Sequence, residues 1–121
     1  MSLSIVQIVF DCEDAESLAA FWSKVLDRPV DEGAGPFFST IGRAESSSGP
    51  TLMFVKVPEP KQLKNRVHLD LHGQDVQAEV DRVTGLGAVQ VSEHKEFGTH
   101  WITLRDPEGN EFDIGAGLDP S

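Results

Sequence analysis

Apolar residues along this chain recur at two spacings, and the spacings alternate. Between Leu3 and Cys12 the period is two. Ile8, Phe10 and Cys12 share one side of an expected strand, and Gln7, Val9 and Asp11 share the other. Asp14 then offers a helix N-cap. Leu18, Trp22, Val25 and Leu26 follow at helical spacing with Phe21 beside them, and Pro29 sets the stop near Asp27-Arg28. Pro29 to Gly35 reads as a loop with a short extended piece. Phe37 to Arg43 reads as a strand, Ala44 to Pro50 as a mobile solvated turn, and Thr51 to Val57 as an apolar strand. Pro58-Glu59-Pro60 breaks the pattern and opens a linker.

The same order then returns. Arg66 to His72 alternates strictly, with Val67, Leu69 and Leu71 on one side and His68, Asp70 and His72 on the other. Asp75 caps a helix whose stripe is Val76, Val80 and Val83, and Gly85 is its expected C′ glycine. Ala88 to Val91 and Trp101 to Leu104 read as strands. Asp106-Pro107-Glu108-Gly109-Asn110 is a hairpin turn, and Glu111 to Ile114 is the return strand. The period is about sixty residues, with Gln7 opposite His68. The expected architecture is α+β. Two βαβββ modules in tandem form curved mixed sheets around a concave cavity, with the helices packed outside. Module 1 covers about 4–58, the linker about 58–65 and module 2 about 66–115 of one domain of 121 residues.

Composition narrows the partners. The formal charge is −10, from 20 acidic and 10 basic residues, which argues against nucleic acid and permits a cationic ligand. One cysteine, Cys12, excludes an internal disulfide and a four-thiolate zinc site. No signal peptide and no membrane-length apolar run is legible, so a cytoplasmic protein without membrane contact is expected. There is no Ser-His-Asp signature and no phosphate-binding glycine loop.

Three segments carry a family likeness. Asp14 to Leu26 (DAESLAAFWSKVL), Val57 to Leu71 (VPEPKQLKNRVHLDL) and Asp106 to Phe112 (DPEGNEF) occur in this order across nearly the whole chain. Together they resemble the vicinal oxygen chelate superfamily, in its glyoxalase-like domain subgroup. That superfamily includes glyoxalase I, extradiol dioxygenases, fosfomycin-resistance enzymes and bleomycin-binding proteins. The resemblance implies metal ligands on the first and last strands of each half, which here match Gln7, His68 and Asp113. The last strand of the first half, Thr51 to Val57, holds no His, Asp, Glu or Cys. One imidazole, one carboxylate and one amide oxygen suit Ni²⁺, Mn²⁺, Fe²⁺ or Zn²⁺. Without a metal the same three residues are a hydrogen-bonded polar cluster lining the cavity.

Other residues carry paired readings. Asp70 is either a base or an orienting partner of His68, or it pairs with a cation such as Arg105 or Lys56. Glu111 is either the spare carboxylate for proton transfer or a solvated hairpin residue. Phe38, Val55 and Trp101 are the candidate cavity wall. His72 shares the face of His68 but stands about 13 Å along the strand, too far for a shared ion. His94 and His100 flank an expected loop tip.

Three functions compete. The first is a glyoxalase-like lyase or isomerase acting on an oxygenated metabolite. The second is a metal-free binding protein of bleomycin-resistance type, and the third an extradiol-type dioxygenase. Gln7 in place of a first histidine counts against the third. A carboxylate at Asp113, costly in a cavity unless used, favours the enzyme. The resemblance also implies a small-molecule ligand and a homodimer.

Overall fold

The computed structural model describes residues 2–44 and 49–116. Residues 45–48 of the turn expected to be mobile lie outside the described residues. Contacts divide the chain into two compact units, Met1–Lys61 and Gln62–Ser121.

The first unit contains β1 (Gln7–Cys12), α1 (Ala15–Leu26), β2 (Phe38–Ile41) and β3 (Thr51–Lys56). Its open sheet has the order β1-β3-β2, with β1 parallel and β2 antiparallel to β3. Helix α1 starts where the Asp14 side chain accepts from the N–H groups of Glu16 and Ser17. It ends at Asp27, which takes the left-handed conformation at φ 53°. Its stripe of Leu18, Phe21, Trp22 and Val25 is buried. Phe10 of β1 stacks on Phe54 of β3 at 5.0 Å between ring centres and meets Trp22 at 5.6 Å. Pairing in β1 begins at Gln7 rather than Leu3, and Leu3, Ile5 and Val6 are exposed. Two full strands follow the helix, and the place of a third is taken by a single bridge, Val30 to Ile41.

The second unit contains β4 (Leu69–His72), α2 (Val76–Leu86), β5 (Val89–Glu96), β6 (Thr99–Arg105) and β7 (Glu111–Ala116). Its order is β4-β7-β6-β5, with only the β4–β7 pair parallel. Val76, Val80 and Val83 of α2 are buried, as are Ile102, Leu104, Phe112 and Ile114 of the sheet it packs on. The alternate residues of β6 and β7, Thr103, Arg105, Glu111 and Asp113 among them, therefore occupy the opposite face.

Three expectations in this unit need correction. Gly85 lies inside α2, and the capping glycine is Gly87 at φ 123°. The strand expected over 88–91 runs from Val89 to Glu96. His94 and His100 are therefore strand residues that flank a hairpin turn at Phe97-Gly98. Finally, β4 begins at Leu69 rather than Arg66, so His68 stands just before the first ladder residue.

The whole is α+β, with two helices, seven strands and two open mixed sheets among the described residues. No helix there is long and apolar enough to cross a membrane.

Candidate functional site

His68, Asp70 and Asp113 meet on the face of the second sheet that α2 does not cover. The parallel register pairs Asp70 with Asp113, and period-two geometry turns His68 to the same side. His68 Nε2 stands 3.2 Å from Asp70 Oδ1 and 3.3 Å from Asp113 Oδ2. One donor atom from each residue lies within 4.8 Å of the others. Asp113 is the most enclosed of the three, its side chain 14% exposed, against 39% for His68 and 61% for Asp70.

A carboxyl close to a second carboxylate ionises at greater cost. Partial burial, followed by the charge of Asp113, pushes the Asp70 carboxyl above its ordinary range, and His68 offsets only part of this. A cation among the three would relieve the repulsion. Adjacent ligands of an octahedral ion at about 2.1 Å stand about 3 Å apart, close to the separations of His68 Nε2 from the two carboxylates. Nitrogen and carboxylate donors of this kind suit Mn²⁺, Fe²⁺ or Zn²⁺, so the residues fit such an ion.

A residue not singled out in the sequence supports this set. Thr103 is the register partner of Asp113, and its hydroxyl donates to Asp113 Oδ1 at 2.6 Å. That bond holds one carboxylate oxygen and leaves Oδ2 toward His68. The signal was available, because counting outward from the Asp106–Asn110 turn places residue 103 opposite residue 113.

Glu111, Arg105 and Trp101 have other partners. Glu111 is on the same strand face as Asp113 and is buried. Its Oε1 accepts from the Asn65 N–H at 2.9 Å, and its Oε2 lies 3.6 Å from Arg105 Nε. Arg105, one of the cations weighed for Asp70, is thus the cross-strand partner of Glu111. Trp101 stacks on His94 with ring centres 5.0 Å apart, and His100 pairs with Glu93 at 2.7 Å. Phe38 and Val55 are register partners in the first unit. Both members of the Phe37-Phe38 pair are exposed, with the Lys56 ammonium 5.4 Å over the Phe37 ring.

Gln7 also belongs to the first unit. Its Nε2 lies 3.7 Å from the sulfur of Met53. The two units share a register here. Ile8 pairs with Leu52 as Leu69 pairs with Phe112, so Gln7 and Met53 occupy the positions that His68 and Asp113 occupy in the second unit. Met53 was missed because a thioether carries no hard-ligand signal.

A family model described as a glyoxalase-like domain matches residues 7–115. No curated protein sequence matches the chain. Among solved structures, the chain is similar to a glyoxalase/bleomycin resistance protein/dioxygenase family enzyme from Burkholderia phytofirmans. They share 17% identity over 96% of this chain and 100% of the other, with a TM-score of 0.77. It is also similar to a mutant of the fosfomycin resistance protein FosX from Listeria monocytogenes, bound to Mn(II) and 1S,2S-dihydroxypropylphosphonic acid. There the identity is 17% over 98% and 93% of the two chains, with a TM-score of 0.78. A lactoylglutathione lyase from Agrobacterium tumefaciens matches at 17% identity over 96% and 95%, with a TM-score of 0.66. At these identities the likeness is one of fold.

Proposed function

Because this chain belongs to the glyoxalase-like domain family, we propose that it is a lyase or isomerase acting on a small oxygenated metabolite, with a divalent cation held by its second unit. The carrying observation is the convergence of His68, Asp70 and Asp113 within 4.8 Å. His68 Nε2 and Asp113 Oδ2 would anchor the ion, and Asp70 would complete the donor set from the exposed side. When bound, the ion would polarise adjacent substrate oxygens and lower the cost of negative charge developing on them.

The chain's own residues supply the rest. Thr103 fixes the rotation of the Asp113 carboxylate. Asp70 is the most exposed of the three, so it stands where an approaching substrate would first meet the set. The Mn(II)-bound structural neighbour supports a divalent ion on this fold, and the lactoylglutathione lyase supports the reaction class.

Mn²⁺ binding is the direct test, measured by titration of metal-free protein followed by electron paramagnetic resonance. Wild type should bind near one equivalent. His68→Ala and Asp113→Asn should each weaken binding at least about 10-fold, the scale seen even for outer-shell partners. Lactoylglutathione formation with the loaded protein then tests the reaction class. A wild-type protein that binds neither Mn²⁺ nor Zn²⁺ would sink the metalloenzyme. The metal-free binding protein of bleomycin-resistance type would then stand in its place.

A further inference from the structure

β4 and β7 carry three carboxylates on the uncovered face of the second sheet, Asp70, Glu111 and Asp113, yet only two of them face His68. The third, Glu111, has a side chain only 6% exposed. Both of its oxygens are engaged, Oε1 by the Asn65 N–H and Oε2 by the Arg105 guanidinium. A carboxylate held this way is poorly placed to exchange protons with a substrate. It is well placed to hold the backbone that it grips.

That backbone leads to the site. Asn65 precedes His68 by three residues, and the register of β4 begins only at Leu69. The ladder therefore does not reach Asn65, whereas Glu111 does. Asn65 is also tied through its side-chain amide to Asn110 at 3.3 Å, and Asn110 is fixed in the hairpin turn by Asp106. Glu111 and Asn110 thus pin one end of a four-residue run whose other end is the His68 ring.

We propose that Glu111 is a positioning residue, which clasps the segment entering β4 through the Asn65 N–H and so sets His68 against Asp113. This rests on reading His68, Asp70 and Asp113 as the ion-holding set. It gives Glu111 a part different from that of proton carrier. It also accounts for Arg105, which sits opposite Glu111 and engages the oxygen that the Asn65 N–H leaves over.

Three variants separate this role from mere stability. Glu111→Gln keeps an acceptor for the Asn65 N–H, and Glu111→Leu removes it. Val80→Ala thins the core behind the sheet without touching the site. Two quantities are read on each: the Mn²⁺ dissociation constant, and the position of the His68 Cε1–Hε1 NMR signal in metal-free protein, with melting temperature alongside. Glu111→Leu should weaken Mn²⁺ binding about 10- to 100-fold, the scale of lost outer-shell support. It should also shift the His68 signal. Glu111→Gln should restore both toward wild type, and Val80→Ala should lower the melting temperature while moving neither. A Glu111→Leu protein with an unmoved His68 signal overturns the proposal, as does a Val80→Ala protein that shifts it equally. If wild type binds no Mn²⁺, the proposed function fails, and the His68 signal alone decides the positioning role.

Discussion

At Asp113, two oxygens have two partners: Thr103 donates to Oδ1, and His68 stands by Oδ2. Thr103→Val keeps the shape of the side chain and removes the donor. The freed carboxylate can then rotate, and Mn²⁺ affinity should fall about 10-fold as measured by isothermal titration, with the fold intact by circular dichroism. Unchanged affinity would mean that the hydroxyl does not orient the ligand. Residues of this site differ in how legible they were. His68, Asp70 and Asp113 could be placed on one face because period-two alternation is strict through 66–72 and through the return strand. Asn65 could not, because a linker has no period and its backbone N–H carries no residue-type signal. Met53 could not either, because its position matters only once the registers of the two units are compared.

Among the elements, α2 separates two glycines that sequence alone confuses. Both Gly85 and Gly87 fall where a helix should stop. Only Gly87 has positive φ, at 123°, and a side chain there would be strained whatever the space around it. Gly85 is helical, with nothing within 4 Å of the place where a Cβ would go. Gly85→Ala should therefore stabilise the protein by about 0.5–1 kcal/mol, by raising helix propensity and restricting the unfolded chain. Gly87→Ala should destabilise it by about 1–3 kcal/mol, the usual range for a strained backbone conformation. Urea denaturation of the two variants checks both signs at once. Strand β5 went half unseen for a related reason. It is an edge strand, and most of its residues are exposed on both faces, so its sequence shows no alternation to read. The helix starts were plain because Asp14 and Asp75 mark them with a side chain that accepts a hydrogen bond.

For the molecule as a whole, an excess of acid sets how stability follows pH. The formal charge is −10, so mild acidification should relieve general repulsion. Asp31 works against that relief. Burial pushes its carboxyl up, but hydrogen bonds from the Thr40 hydroxyl and from the N–H groups of Arg43 and Ala44, with the charge of Arg43, outweigh it and hold it below the ordinary range. A carboxyl with a lowered folded-state pKa adds stability above the unfolded value of about 3.9, and loses it as pH falls through the folded value. Asp70 has the opposite sign. Its raised pKa costs stability at neutral pH, and that cost fades as pH falls through the raised value. Asp31→Asn should thus flatten the acid limb of stability below about pH 4 while leaving the shape above it. Urea midpoints across the pH range decide the matter, and an unchanged acid limb would remove Asp31 from the account.

The pair Gln7 and Met53 has a consequence for descent. It occupies the same register as His68 and Asp113, on a β-α-β framework capped in the same way, seven residues after Gln7 in one unit and seven after His68 in the other. An amide and a thioether sit where an imidazole and a carboxylate sit, and the strands beneath them run alike. Scaffold and chemistry are therefore separately heritable in this chain. One register carries two unlike pairs of side chains, so the strands themselves dictate neither.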